Sequence, residues 1–127
     1  MVKIIKKKIM IVDDDPDILI SIREIFEREG YEVFTVDSGI DCIRELEHGF
    51  KGIILMDIMM PFIDGWETIK EIKNKDLIKD VIIYIITAKS TNEELKIKKY
   101  HPYIHNYIIK PYNVKDLIIK VNNNLNI

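Results

Sequence analysis

Residues 9–16 read IMIVDDDP, four apolar residues without alternation followed by three acids and a proline. An apolar run that offers no polar face describes a strand covered on both sides, as in a parallel sheet. Asp15 and Pro16 then supply a helix N-cap and a first turn with φ already set. Ile18, Leu19, Ile22, Ile25 and Phe26 follow at helical spacing, and Gly30 is the expected stop. A covered strand, an acidic turn and an amphipathic helix thus stand in succession.

The same unit recurs along the chain. Gly52 to Met56 (GIILM) is closed by Asp57, Val81 to Ile86 (VIIYII) by Thr87, and the short run Tyr107 to Ile109 by Lys110. Tyr31 to Val36 mixes polar and apolar positions and suits an edge strand. Helical faces lie between these runs: Ile40, Ile43 and Leu46; Trp66, Ile69 and Ile72; and Val114, Leu117, Ile118, Val121 and Leu125. Asp64 with Glu67, and Thr91 with Glu94, have the spacing of capping boxes. The helix over residues 91–99 has the weakest apolar face and is expected to be the most loosely held. Asn122 to Asn124 read as a fraying helix end. Five successive β-α units predict an α/β fold, a five-stranded parallel sheet with helices on both faces.

Composition sets the outer bounds. A chain of 127 residues with 47% hydrophobic content is one domain with a proper core and leaves no room for a second. A single domain over residues 1–127 is therefore expected, with no DNA-binding helix-turn-helix or catalytic output module, whether the chain stands alone or is a piece of something longer. Lys and Arg total 19 against 21 acids, so the net charge of -2 provides no long-range attraction to nucleic acid or to an anionic membrane. The cluster Lys3, Lys6, Lys7 and Lys8 reads as a solvated approach to the first strand. Cys42 is alone, cannot form an intramolecular disulfide, and is expected in a helix core. With no zinc-like Cys/His spacing, a reducing cytoplasmic setting fits best. The opening MVKIIKKKIMIV places basic residues before apolar ones, but the run ends after about four residues at Asp13, too short for a signal peptide or a membrane span.

In parallel sheets of this kind, ligands bind beyond the carboxyl ends of the strands. The residues found there are Asp13, Asp14, Asp57, Thr87 and Lys110. Any one alone would be a cap, a turn residue or a surface charge; their occurrence at equivalent positions of successive units points to phosphoryl chemistry. Three carboxylates gathered closely repel by about 4 kcal/mol per pair at an effective dielectric of 20, so such a site must take a cation or a proton. An all-oxygen donor set suits Mg²⁺, with Mn²⁺ as a substitute, whereas zinc would want His or Cys. His48, His101 and His105 lie elsewhere in the pattern and are expected on the surface or in packing.

The strings IMIVDDDPDI, LMDIMMPFIDGWE, IITAKS and YIIKPY, in that order and spacing, resemble the receiver domain of two-component response regulators over nearly the whole chain. The resemblance implies a doubly wound sheet of strand order 2-1-3-4-5, with Asp57 as the phospho-acceptor. It implies Asp14 as a direct metal ligand, Asp13 acting largely through water, and the backbone carbonyl of Met59 as a third protein ligand. Thr87 would hydrogen-bond one phosphoryl oxygen and Lys110 would pair with another, offsetting the charge that otherwise keeps a carboxylate from attacking phosphorus. Pro61 and Gly65 would shape the loop after Asp57, and the Lys110-Pro111 bond would be cis.

On phosphorylation the family pattern moves Thr87 toward the phosphoryl group and rotates Tyr107 inward. The surface that changes is then the fourth helix, fifth strand and fifth helix, the same surface that would serve a homodimer. The donor would be a sensor histidine kinase or a histidine phosphotransfer protein, and the downstream target is not legible. Such a domain is a signalling phospho-acceptor that assists its own phosphorylation and dephosphorylation, not an enzyme with a separate substrate. Met59 and Lys89 would tune the lifetime of the phosphate, and Met59, with no polar group to orient water, favours slow loss. The chain departs from the family where a Gly-Ala pair usually precedes the fifth strand: here Tyr103-Ile104 stands in HPYIHNYIIKP, so the approach to Tyr107 is built differently. Two other functions are compatible with parts of the pattern. One is a pseudo-receiver, a binding module that takes no phosphate. The other is a phosphatase of the haloacid-dehalogenase type using Asp13 and Asp15, against which stand the short chain and the lack of an acidic pair after Ile86.

Overall fold

The computed structural model describes residues 7–123. Lys3 and Lys6 of the basic cluster, and Asn124 and Leu125 of the last helical pattern, lie outside the described residues; Lys7 and Lys8 are exposed.

The strands are β1 (Lys8–Val12), β2 (Glu32–Val36), β3 (Gly52–Asp57), β4 (Val81–Ala88) and β5 (Asn106–Lys110). Alternating with them are α1 (Pro16–Arg28), α2 (Gly39–Glu47), α3 (Gly65–Asn74), α4 (Thr91–Tyr100) and α5 (Val114–Asn123). All paired strands are parallel, in the order β2-β1-β3-β4-β5, as expected. β4 runs further than its apolar stretch, so that Thr87 lies inside the strand, and Asp57 and Lys110 are the last residues of theirs. Two 3₁₀ turns, Ile78–Asp80 and His101–Tyr103, were not anticipated.

The central strands are apolar on both faces because each face has its own core. Ile9, Ile11, Ile53, Leu55, Tyr84 and Ile86 turn one way, onto Ile22 and Phe26 of α1 and Leu117 and Val121 of α5. The alternate residues Met10, Val12, Ile54, Met56, Ile83 and Ile85 turn the other way, onto Cys42, Ile43 and Leu46 of α2, Trp66, Ile69 and Ile72 of α3, and Tyr100 of α4. Side chains alternating along a strand produce this division directly. Cys42 is fully buried, and burial pushes its thiol up to about 12. The three histidines are exposed.

Helix ends follow local chemistry with some corrections. Asp15 caps α1 by accepting from the Asp17 N–H, and Gly30, at φ +91°, takes the chain out of the helix. Asp64 and Glu67 form the expected reciprocal capping box on α3. On α4 the cap is Ser90, whose hydroxyl accepts from the Glu93 N–H, and Thr91 is already helical. Ile40 is exposed: Gly39 occupies the buried position, where a Cβ would meet the Thr68 hydroxyl on α3. Val114, also expected on a buried face, is partly exposed at the first turn of α5. Asn122 does not lie in a frayed end; it accepts from the Tyr31 hydroxyl and donates to Glu29 at 3.1 Å, tying α5 to the end of α1.

Candidate functional site

The carboxyl edge of the sheet gathers the residues singled out from the sequence. Asp13 and Asp14 follow β1, Asp57 ends β3, Thr87 lies near the end of β4 and Lys110 ends β5. Strand register brings them level, since β3 pairs Asp57 with Ile86, and β4 pairs Thr87 with Ile109. Carboxylate oxygens of Asp13, Asp14 and Asp57 lie within 4.8 Å of one another. Asp13 and Asp57 are buried, whereas Asp14 is exposed.

Each buried acid is held by its own loop. Asp57 Oδ1 accepts from the Met59 N–H at 3.1 Å, and Asp13 Oδ1 accepts from the Asp15 N–H at 2.9 Å. The Lys110 ammonium donates to both Asp57 oxygens, at 3.1 and 3.2 Å. Burial raises the Asp13 carboxyl to about 6, and the charges of Asp57 and Asp14 add to that, against the Asp15 N–H and Lys110, which lower it. One ammonium therefore faces three clustered carboxylates, and the site has oxygen donors and excess negative charge suited to a hard divalent cation.

The loop after Asp57 depends on Gly65. Its N–H donates to the Ile58 carbonyl at 2.9 Å, and a Cβ there would stand 2.8 Å from Ile58 Cα and 2.9 Å from the Asp57 carbonyl oxygen. The helix can start this close to the strand end only because position 65 has no side chain. Lys110-Pro111 is cis.

The sequence profile of the response regulator receiver domain matches residues 9–122. The chain belongs to that family. Among curated relatives, the response regulator SaeR of Staphylococcus aureus is 36% identical over 115 residues, which cover 91% of this chain and 49% of SaeR. The chain thus spans about half the length of the curated relatives it matches. Among solved structures, a response regulator receiver domain protein from Methanospirillum hungatei is 37% identical with a TM-score of 0.79, covering 91% of this chain and 90% of that one. The chemotaxis protein CheY4 of Vibrio cholerae, 22% identical with a TM-score of 0.82 over 94% of this chain and 98% of its own, shares the fold.

Other residues expected to matter in a receiver take definite places. Met59 is exposed and lines, with Asp14, Met60, Pro61 and Asp64, the cleft beside the acids. Lys89 is exposed beyond β4. Tyr107 is half-buried beside a cavity of about 60 Å³ also lined by Thr87, Ala88 and Ile97. The Lys120 ammonium donates to its carbonyl at 2.8 Å and stands 5.5 Å from the centre of its ring. The space that a Gly-Ala pair would leave is filled by Tyr103 and Ile104, which pack partly buried on the α2–α3–α4 core. The ammonium of Lys73 lies 5.1 Å from the Tyr103 ring centre.

Sequence reasoning missed Glu93. Its carboxylate accepts from the Thr87 hydroxyl at 2.6 Å and from the Trp66 indole N–H at 3.1 Å. The available signals were the Ser90-x-x-Glu93 spacing and the single tryptophan. Phe62 was missed too: it is 94% exposed at φ +70° in the loop between Asp57 and α3.

Proposed function

We propose that this receiver domain accepts a phosphoryl group on Asp57 from a phosphohistidine and passes the event to the α4–β5–α5 surface. The observation that carries the reading is the convergence on Asp57: the Lys110 ammonium spans both its oxygens, while Asp13 and Asp14 stand alongside. Asp13, Asp14, Asp57 and the carbonyl of Met59 would hold Mg²⁺, which when bound offsets the carboxylate charge and takes phosphoryl oxygens.

The rest is done by the chain's own groups. An Asp57 oxygen attacks phosphorus, the P–N bond to the donor imidazole breaks, a P–O bond forms, and the released imidazole takes up a proton. Lys110 exchanges one Asp57 oxygen for a phosphoryl oxygen, so its charge stays matched to the charge that moves. The product is an acyl phosphate, intrinsically labile, and the domain is an acceptor that resets rather than an enzyme with a substrate of its own. Thr87, turning to the phosphoryl group, opens space beside Tyr107. Tyr107 rotating toward that space alters the surface of α4, β5 and α5, a local charge change with a wider readout. The partner on the donor side would be a sensor histidine kinase or a histidine phosphotransfer protein. Among the described residues no helix is long and apolar enough to cross a membrane.

Incubation with acetyl phosphate and Mg²⁺, followed by peptide mapping, tests the reading. A single phosphoryl group on Asp57, absent from Asp57→Asn and absent without Mg²⁺, is the expected result. Label on Asp13 would point instead to the dehalogenase-type phosphatase, and no label at all to a pseudo-receiver.

A further inference from the structure

The hydroxyl of Thr87 already has a partner. It donates to Glu93 Oε2 at 2.6 Å, and the indole N–H of Trp66 donates to the same oxygen at 3.1 Å. Thr87 and Trp66 are both almost fully buried. Ser90 holds the backbone of Glu93 by accepting its N–H at 3.1 Å, which fixes the first turn of α4 from which the carboxylate reaches Thr87. At the other end of the same helix, Tyr100 stacks on Trp66 with ring centres 5.2 Å apart and planes at 27°. Both ends of α4 are therefore fastened to one buried side chain of α3.

Between these fastenings α4 has little to hold it. Tyr100 is its only buried residue, Leu95 is 61% exposed, and Ile97 is half-buried. With so little apolar area covered, the bonds to the Glu93 carboxylate supply a large part of the attachment. Glu93 also borders the cleft that Asp14 and Met59 line beside the acidic cluster, so it faces the place where phosphoryl charge would arrive.

We infer that Glu93 is a latch: it holds the Thr87 hydroxyl and α4 in the unphosphorylated arrangement and gives way when a phosphoryl oxygen takes that hydroxyl. The inference rests on Asp57 being the acceptor. A hydroxyl has one proton to donate, so Thr87 serves either Glu93 or the phosphoryl group. The incoming charge also repels the carboxylate across the cleft. Once Glu93 moves away, the Trp66 N–H loses its acceptor and the first turn of α4 is free to shift. Since Trp66 is the only tryptophan, its fluorescence reports the latch.

The experiment uses the full chain with Mg²⁺ and beryllofluoride, read through Trp66. Wild type should change its fluorescence on binding. Glu93→Ala should bind beryllofluoride about tenfold more tightly, the scale of one hydrogen bond to a charged acceptor. Glu93→Gln, neutral but still an acceptor, should fall between, and it carries the test if Glu93→Ala does not fold. In a Thr87→Val background, where no hydroxyl is left to hold, the gain from the substitutions at 93 should shrink to the part that repulsion across the cleft contributes. Unaltered affinity in both Glu93 variants, or the same gain with and without the Thr87 hydroxyl, overturns the latch while leaving Asp57 as acceptor. A wild-type chain that binds no beryllofluoride and takes no acetyl phosphate label overturns both.

Discussion

Lys110 Nζ stands 3.1 Å from Asp57 Oδ2 and 3.2 Å from Oδ1, an ammonium from β5 reaching across β4 to the end of β3. A single side chain thereby ties β5 to β3 at one edge, across the strand that separates them. Asp57 is almost fully buried, and no other cation bonds it among the described residues. Lys110→Ala should slow labelling of Asp57 by acetyl phosphate by at least about tenfold at saturating Mg²⁺, because one fixed positive group is missing as charge moves onto the phosphoryl oxygens. An unchanged initial rate would remove Lys110 from the transfer step.

Asp13 makes stability depend on pH. Its carboxyl is raised from 3.8 to about 6 by burial, then by the charges of Asp57 and Asp14. The folded chain thus holds a proton between those values that the unfolded chain has lost, and stability rises as pH falls from 7 toward 4. Above about 6 the ionised group destabilises the metal-free fold, by on the order of 2–3 kcal/mol. Urea unfolding in EDTA should show Asp13→Asn more stable than wild type at pH 7.5 and little different at pH 4.5. Mg²⁺ should stabilise wild type at pH 7.5, less at pH 5 where protons compete, and least of all in the Asn variant.

Gly65→Ala should damage the site through the backbone. The new methyl would sit 2.8 Å from Ile58 Cα and 2.9 Å from the Asp57 carbonyl oxygen, and neither can rotate away. A loss of about 1–3 kcal/mol in thermal or urea unfolding is expected, together with weaker Mg²⁺ binding as the Asp57 loop is displaced. Full Mg²⁺ affinity in the variant would mean that the loop tolerates the shift.

Met59 is 68% exposed at the rim of the cleft and brings no polar atom on its side chain. Phospho-Asp57 should therefore decay slowly, and Met59→Asn should shorten its half-life by several fold, since an amide can orient a water for attack. Decay followed by loss of the phosphorylated mass settles the point, and an equal half-life in the two proteins counts against a tuning role.

Much of this is legible in the amino-acid sequence because two periodicities carry it. Unbroken apolar runs such as Ile53 to Met56 need cover on both faces, and the helical spacing of Ile69 and Ile72 supplies that cover. The acidic site was legible because each of its members ends or follows a strand, so position in the sequence stands in for position in space. What escaped lacks such a rule. Ser90 and Thr91 precede Glu93 and Glu94, so the capping pattern fits in either register, and only the backbone selects Ser90. Ile40 and Gly39 compete for one buried position, and close approach of Thr68 on α3 decides in favour of the residue without a side chain. The bond from Trp66 to Glu93 crosses 27 positions, and no local pattern encodes it.

The two cores on either side of the sheet have no residue in common. The sheet is then a partition as well as a scaffold: α1 and α5 press on one wall of it, and α2, α3 and α4 on the other. Loosening α4 takes nothing from the packing of Phe26, Leu117 or Val121, which lie behind the wall. The molecule can let α4 work loose without bringing α1 or α5 closer to melting, so that signalling on one wall and folding on the other draw on separate reserves.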